Sequence, residues 1–219
     1  MTKPLPKTVS NNTAKSFMAC LNTAAYCAPP YGHWLLEDVL PIAVAEAISG
    51  LPFPPPTNLD FNGKRETNNS SRIYFTKENQ ARFPVCQEVV DAFDSPEIRG
   101  TIEEKTGVDL SEGLLRVEYC QDIDGFWLEP HTDISVKKFT MLVYLSDAPE
   151  LFDVGTDIYE GPPDFKHVKS APYQMNKGLV FIPGKNTWHG LTKRKIAGVR
   201  KSIIINYVYS EWRDKWELA

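Results

Sequence analysis

The segment RKSIIINYV, residues 200–208, does more than any other stretch to decide the fold class. Its isoleucines, tyrosine and valine are residue types that favour strands. Side chains alternate along a strand, so one face would carry Arg200, Ser202, Ile204 and Asn206. An arginine pointing inward from such an apolar strand requires an anionic partner, and its planar fork suits a carboxylate. The segment therefore predicts a buried strand with an anion-binding residue at its head.

Three other runs share this strand-like composition, and turn residues separate them. They cover residues 114–120, 139–145 and 178–182. The first half of the chain is different, because helix signals mark segments that begin at Pro41, at Pro84 and after Ser95. Helices followed by strands predict an α+β fold. Short strands at this spacing suit a jelly roll, with the N-terminal helices packed on it as a layer.

The domain organisation follows from length and local composition. A chain of 219 residues suits one domain, with residues 114–208 as the jelly-roll core. Residues 1–15 are polar and contain two prolines, which predicts a loose tail. Residues 58–71 are rich in Asn, Gly and Ser, which predicts a long loop.

Composition argues against several classes of partner. The net charge of −4 disfavours binding to nucleic acid through charge alone. The four cysteines include no C-x-x-C pair, so we expect free thiols in a reducing cytoplasm. No signal-like segment opens the chain, and no stretch has the apolar length of a membrane span. We therefore expect a cytoplasmic protein without a nucleic-acid or membrane partner.

The residues that carry chemistry begin with Glu129-Pro-His-Thr-Asp133. If this stretch is extended, His131 and Asp133 point to the same side and can hold one ion. A His-x-Asp pair alone is weak evidence. A second histidine, His189, follows the turn after the predicted strand 178–182 and could complete such a site. Two histidines and one carboxylate form the facial triad of non-haem Fe(II) oxygenases.

The order His-x-Asp, a distant His and then Arg200 resembles the 2-oxoglutarate- and Fe(II)-dependent oxygenase superfamily. The flanking segments 115–119, 139–146 and 155–159 are similar to its prolyl-hydroxylase-like branch. The resemblance implies a double-stranded β-helix and Fe(II) held by His131, Asp133 and His189. It implies 2-oxoglutarate as co-substrate, with ascorbate as a further candidate cofactor.

The resemblance also assigns roles around the co-substrate. The far carboxylate of 2-oxoglutarate would pair with Arg200, and Tyr144 or Tyr119 would add a phenolic hydrogen bond. The reaction would couple decarboxylation of 2-oxoglutarate to hydroxylation or a related C–H oxidation. Arg194 competes with Arg200 for the anion-binding role. Other readings of the carboxylate ligand are Asp157 and Glu118.

A purely structural role is the alternative interpretation for each of these residues. The two tyrosines lie in apolar strands, where core tyrosines are common. Trp127 and Trp188 could line a substrate pocket or serve only in packing. His33 and His167 are interpreted as structural residues. Two other functions stay open: a cupin-like metal enzyme without an oxo-acid co-substrate, and a non-catalytic jelly-roll binding module. The substrate could be a small molecule or a peptide, and the oligomeric state is undetermined.

Overall fold

The strands form two antiparallel sheets in the computed structural model, which describes residues 8–57, 63–64 and 72–219 and the side chains from residue 12 onward. The larger sheet has seven strands in the order β1-β2-β9-β6-β11-β4-β3, and the smaller has four in the order β5-β10-β7-β8. The strands are β1 (Ala25–Cys27), β2 (His33–Leu36), β3 (Arg72–Tyr74), β4 (Leu114–Asp122), β5 (Leu128–His131), β6 (Lys137–Tyr144), β7 (Asp157–Tyr159), β8 (His167–Ser170), β9 (Gly178–Phe181), β10 (His189–Leu191) and β11 (Arg200–Val208). The α+β jelly roll expected from the sequence is confirmed.

In the described part of the chain, five α-helices precede the long strand β4. They are α1 (Thr8–Thr23), α2 (Ile42–Ser49), α3 (Lys77–Arg82), α4 (Pro84–Phe93) and α5 (Pro96–Thr106). The predicted ends of α5 are both confirmed. The Ser95 hydroxyl accepts a hydrogen bond from the Ile98 N–H at 3.3 Å, and Gly107 closes the helix at a φ of 76°. None of the described helices has the length and apolarity that crossing a membrane would require.

The loose tail predicted for residues 1–15 is wrong where the structure describes it, because α1 begins at Thr8. The polar composition of residues 8–15 concealed the start of a helix whose apolar stripe lies mostly beyond residue 15. Ala14, Phe17 and Leu21 are buried, and α1 packs on α4 and α5. Thr13 lies on the same buried side and donates to the Glu88 carboxylate at 2.7 Å. Residues 1–7 lie outside the described part, as does the predicted loop 58–71 apart from Gly63 and Lys64.

Each face of the larger sheet contributes to a separate core. One face packs against the helices and includes Tyr119, Ile203 and Ile205. The other faces the smaller sheet and includes Tyr144 and Ile204. Strand β11 lies between β4 and β6, so its alternate residues supply both cores. The polar residues described next lie on the face toward the smaller sheet.

Candidate functional site

His131 and His189 lie opposite each other on the paired strands β5 and β10. Their ring centroids are 4.4 Å apart. The Nδ1 atom of His131 bonds the Glu129 carbonyl at 2.8 Å, and that of His189 bonds the Thr187 carbonyl at 2.9 Å. A carbonyl only accepts, so each Nδ1 carries a proton, and in a neutral ring Nε2 is then the nitrogen with the lone pair. This is how histidine ligands of metals are commonly oriented.

The strand pairing also explains the glycine that follows His189. A Cβ atom at Gly190 would lie 2.7 Å from the Leu128 carbonyl oxygen. A side chain there would push β10 away from β5. The sequence His189-Gly190 therefore lets the two strands approach closely enough for the imidazole rings to meet.

Asp133 follows His131 and turns into the same cavity. One carboxylate oxygen accepts from Lys137 Nζ at 2.5 Å, and the other accepts from the Thr140 hydroxyl at 2.6 Å. Thr140 is held in turn by Asn206 Nδ2 at 2.9 Å. The carboxylate of Asp133 is therefore both buried and fixed in orientation.

The protonation state of His189 suits a metal ligand. Burial, followed by the neighbouring His131, lowers the pKa of His189 to about 4 against the opposing influence of Asp133. At neutral pH the ring is therefore uncharged and can donate its lone pair.

Two imidazoles and one carboxylate are the donor set that non-haem Fe(II) sites use, so the residues fit iron in their chemistry. They do not form a closed cage, because no group of three His, Cys, Asp or Glu side chains in the described ranges is arranged as a ready-made metal site. In this arrangement the Asp133 carboxylate is engaged by Lys137 and Thr140.

Arg200 lies in the same cavity as the histidines. Its Nε donates to the Val154 carbonyl, and its Nη1 donates to Asp122 Oδ2, each at 2.6 Å. Its Nη2 has no hydrogen-bond partner among the described residues. Asp122 is a site residue that the sequence reasoning missed. Knowing the register of the β4–β11 pair would have revealed it, because Asp122 is the cross-strand neighbour of Arg200.

This inner cavity, lined by Arg200, Asp122, Arg72, Ser202 and the three candidate metal ligands among others, has a volume of about 50 Å³. That volume holds a few water molecules, so a larger occupant would require the lining side chains to move. The Ser202 hydroxyl and Asp122 Oδ1 are buried without a hydrogen-bond partner in the described part of the chain. Buried polar atoms of this kind are rare and indicate a site for a polar occupant.

The two candidate tyrosines lie on opposite faces of the larger sheet. The Tyr144 hydroxyl donates to Thr156 Oγ1 at 3.0 Å and accepts from the Thr156 N–H at 3.1 Å, beside the guanidinium of Arg200. Burial raises the pKa of Tyr144. Tyr119 instead donates to the Ser49 carbonyl at 3.4 Å and belongs to the core beneath the helices. The structure therefore brings Tyr144, and not Tyr119, to the neighbourhood of the inner cavity.

Arg194 and Asp157, the alternatives to Arg200 and Asp133, form contacts away from the inner cavity. Arg194 donates to Asp157 and to the Asp153 carbonyl. Asp157 also accepts from Ser170 Oγ at 2.5 Å and from His167 Nε2 at 3.2 Å. These contacts tie β7, β8 and the loop after β10 together without reaching the inner cavity.

Glu118, the other alternative carboxylate, is also committed to ion pairs. It is paired with Arg72 at 2.8 Å and with Arg116. His33 bonds the Tyr31 carbonyl through Nδ1 at 2.9 Å, which is consistent with a structural role.

A second, larger cleft of about 670 Å³ shares His131 and Asp133 with the inner cavity. We call it the outer cleft; it is lined by Gly63, Lys64, Arg116, Glu129, Pro130, Thr132, Ile134, Val136, Lys137 and residues 211–214 and 217 in addition to those two. Arg116 lies under the Trp212 ring at 4.8 Å and bonds Glu217 at 2.6 Å. The C-terminal segment therefore forms one wall of this cleft.

Trp127 fixes the rim of the outer cleft at Gly63. A Cβ atom there would lie 2.4 Å from the Trp127 ring, and Gly63 has a φ of 79°. The Gly63 carbonyl also accepts from the Glu129 N–H at 2.9 Å. Trp127 thus packs against Gly63, one of the residues that line the outer cleft.

With this geometry in place, comparison with solved structures identifies the fold. A prolyl-4-hydroxylase from Pseudomonas putida matches with a TM-score of 0.56 and 13% identity, over 90% of this chain and 98% of that one. A prolyl 4-hydroxylase from Phytophthora capsici also gives a TM-score of 0.56, with 14% identity over 97% of this chain and 68% of that one. A Trichoplax adhaerens prolyl hydroxylase, solved with a peptide fragment of the hypoxia-inducible-factor oxygen degradation domain, gives 0.52 and 16% identity over 92% of each chain.

The chain therefore has the fold of the prolyl hydroxylases, as the sequence resemblance implied. At this level of identity, what the comparison establishes is the fold. In sequence, the chain matches no protein-family model and none of the curated proteins with which it was compared.

Proposed function

We propose that this protein is an Fe(II)- and 2-oxoglutarate-dependent dioxygenase. The observation that supports this best is the pair formed by His131 and His189, with both Nδ1 atoms tied to backbone carbonyls. Asp133 shares their cavity, which also contains Arg200. His131, Asp133 and His189 would hold the iron. When bound, Fe(II) and 2-oxoglutarate supply the activation of O2 that oxidises a substrate C–H bond.

The residues of the inner cavity would bind and orient the co-substrate. Arg200 Nη2 and the Ser202 hydroxyl would donate to its far carboxylate, because both point from the same face of β11 and lack partners among the described residues. Tyr144 would hold Thr156 and the guanidinium of Arg200 in place. For this to happen, the side chains that line the cavity must move apart to admit a dicarboxylate.

The substrate would reach the metal from the outer cleft, which borders His131 and Asp133. Its volume lies within the range of small-molecule pockets, and its lining is rich in charged groups. A small polar molecule or a segment of a peptide would fit this cleft. Hydroxylation, or a related oxidation, is the expected reaction.

One observation favours a second candidate, a cupin-like metal enzyme that uses no oxo acid. Arg200 already has an anionic partner in Asp122, so its burial does not by itself require a dicarboxylate. The metal ligands would be the same three residues in that case.

Oxygen-dependent release of succinate from 2-oxoglutarate separates the candidates. The purified chain, reconstituted with Fe(II), is expected to release succinate in the presence of O2 and to lose this activity in Asp133→Ala. A protein that binds Fe(II) but leaves 2-oxoglutarate intact would be the cupin-like alternative. One that binds neither would be a non-catalytic module.

A further inference from the structure

Lys137 places a buried ammonium group directly on a candidate metal ligand. Its Nζ lies 2.5 Å from Asp133 Oδ1, and both side chains are only 3% exposed. A metal ion held by Asp133 would therefore meet a second positive charge at the same carboxylate.

The backbone shows why Lys137 and not its neighbour reaches this place. Residues Ile134 to Lys137 form a turn in which the Lys137 N–H donates to the Ile134 carbonyl at 3.0 Å. The pairing of β6 with β11 then shifts register between Tyr207 and Val208, which is paired with Lys137. Irregularities of this kind re-aim side chains beside functional sites. Lys138 extends elsewhere and donates to the Asp109 carbonyl at 2.8 Å.

We propose that Lys137 is a built-in counter-ion that competes with the metal for Asp133 and so sets the metal affinity of the site. This inference rests on the metal centre proposed above. Without metal, the ammonium compensates a buried carboxylate that would otherwise be costly. With metal, two cations share one carboxylate in a buried site, where their repulsion is weakly screened.

The competition has a definite direction. Replacing Lys137 by an uncharged side chain of similar length removes the repulsion and takes away one cationic partner of Asp133. Both effects strengthen metal binding. If Lys137 only held the Asp133 carboxylate in position, the same substitution would weaken metal binding, because the carboxylate would lose its fixed orientation.

The test is the affinity of the full chain for Co(II) and Mn(II), measured by calorimetry without 2-oxoglutarate. Lys137→Met is expected to lower the Kd by roughly tenfold or more. Lys137→Arg, which keeps the charge, is expected to stay within about twofold of wild type on the same grounds. Lys138→Met is the matched control, because Lys138 is a neighbouring buried lysine with other partners, and its Kd is expected to be unchanged.

An unchanged or higher Kd in Lys137→Met would overturn the inference while leaving the metal centre intact. Absence of metal binding by the wild type would instead overturn the metal centre and this inference together. Lys137→Gln provides a second neutral variant, and circular dichroism checks that each variant is folded.

A measurement on the unaltered chain covers the case in which the neutral variants do not fold. Acetylation of Lys137 by an amine-reactive reagent, followed by mass spectrometry, is expected to increase when Co(II) is added. Lys138 in the same sample serves as the reference. No increase at Lys137, under conditions where Co(II) is bound, would contradict displacement of the ammonium.

Discussion

The histidines and the arginine of the candidate site are held in place by different means. His131 and His189 are oriented by backbone carbonyls two residues before each ring, so their geometry follows from the strands themselves. Arg200 is oriented partly by a side chain from another strand, the carboxylate of Asp122. The two histidines are therefore already oriented in this arrangement, although the three candidate ligands do not form a ready-made metal site in the described ranges. Arg200 shares with these residues a cavity of about 50 Å³, so binding of the proposed co-substrate depends on rearrangement of the lining side chains.

Histidines that are oriented by the backbone of their own strand keep their orientation when side chains elsewhere in the site change. An arginine that is held by an aspartate must instead exchange that aspartate for the carboxylate of its ligand. The four substitutions that follow probe this contrast between the two groups of residues.

The largest effect is expected from His189→Ala. Removing one lone-pair nitrogen from a set of three ligands should weaken metal binding by more than about a hundredfold and abolish succinate release. Metal content after dialysis and succinate release measure the two effects. His167→Ala is the control, because His167 contacts Asp157 outside the inner cavity. Near-wild-type metal content in His189→Ala would mean that this histidine is not a ligand.

Arg200→Met should act on the co-substrate and leave the metal in place. Losing a charge-assisted contact to the far carboxylate is expected to raise the KM for 2-oxoglutarate by roughly tenfold to a hundredfold, with a smaller change in kcat. Initial rates across a range of 2-oxoglutarate concentrations give both constants. Thermal unfolding must be followed alongside, because Asp122 loses its partner. An unchanged KM would show that Arg200 does not bind the far carboxylate of 2-oxoglutarate.

Asp122→Asn should shift the KM for 2-oxoglutarate in the opposite direction to Arg200→Met. The amide keeps an acceptor for Arg200 but removes the negative charge beside the co-substrate carboxylate. The KM for 2-oxoglutarate is expected to fall a few-fold, on the order of what one partly screened like-charge contact is worth. A rise in KM would show that Asp122 serves to position Arg200 and does not compete for it.

Tyr144→Phe is expected to have the smallest effect. It removes one hydroxyl that bonds Thr156 and should raise the KM for 2-oxoglutarate by about twofold to tenfold. Tyr119→Phe is the matched control and should leave the KM unchanged, because Tyr119 bonds Ser49 on the other face of the sheet. Equal effects from the two substitutions would contradict the separation of the two faces.

Strong local signals made much of this architecture predictable. Pro84, Ser95 and Gly107 marked helix ends that the structure confirms, and the apolar run at 200–208 forms the long strand β11. The sequence did not reveal α1, whose apolar stripe is interrupted by polar residues, or the short strands β1 and β3. Strands of three residues carry too little pattern to be recognised.

The site was predictable only in part, for a related reason. His131, Asp133, His189 and Arg200 could be proposed from spacing and resemblance. Their partners could not, since Asp122 depends on strand register and Lys137 on a register shift. Tyr119 and Tyr144 were equivalent candidates in the sequence, and only the pairing of β4 and β6 with β11 assigns them to different faces. The assignment to a single domain and to the cytoplasm stays a prediction.

The proposed function depends most on whether the three proposed ligands bind iron together with an oxo acid. Anaerobic titration of the chain with Fe(II) and then 2-oxoglutarate, followed by visible absorption, tests this directly. We expect a charge-transfer band that needs both components and disappears in His189→Ala. A wild-type spectrum that stays featureless with both components present would contradict the proposed metal centre and its co-substrate.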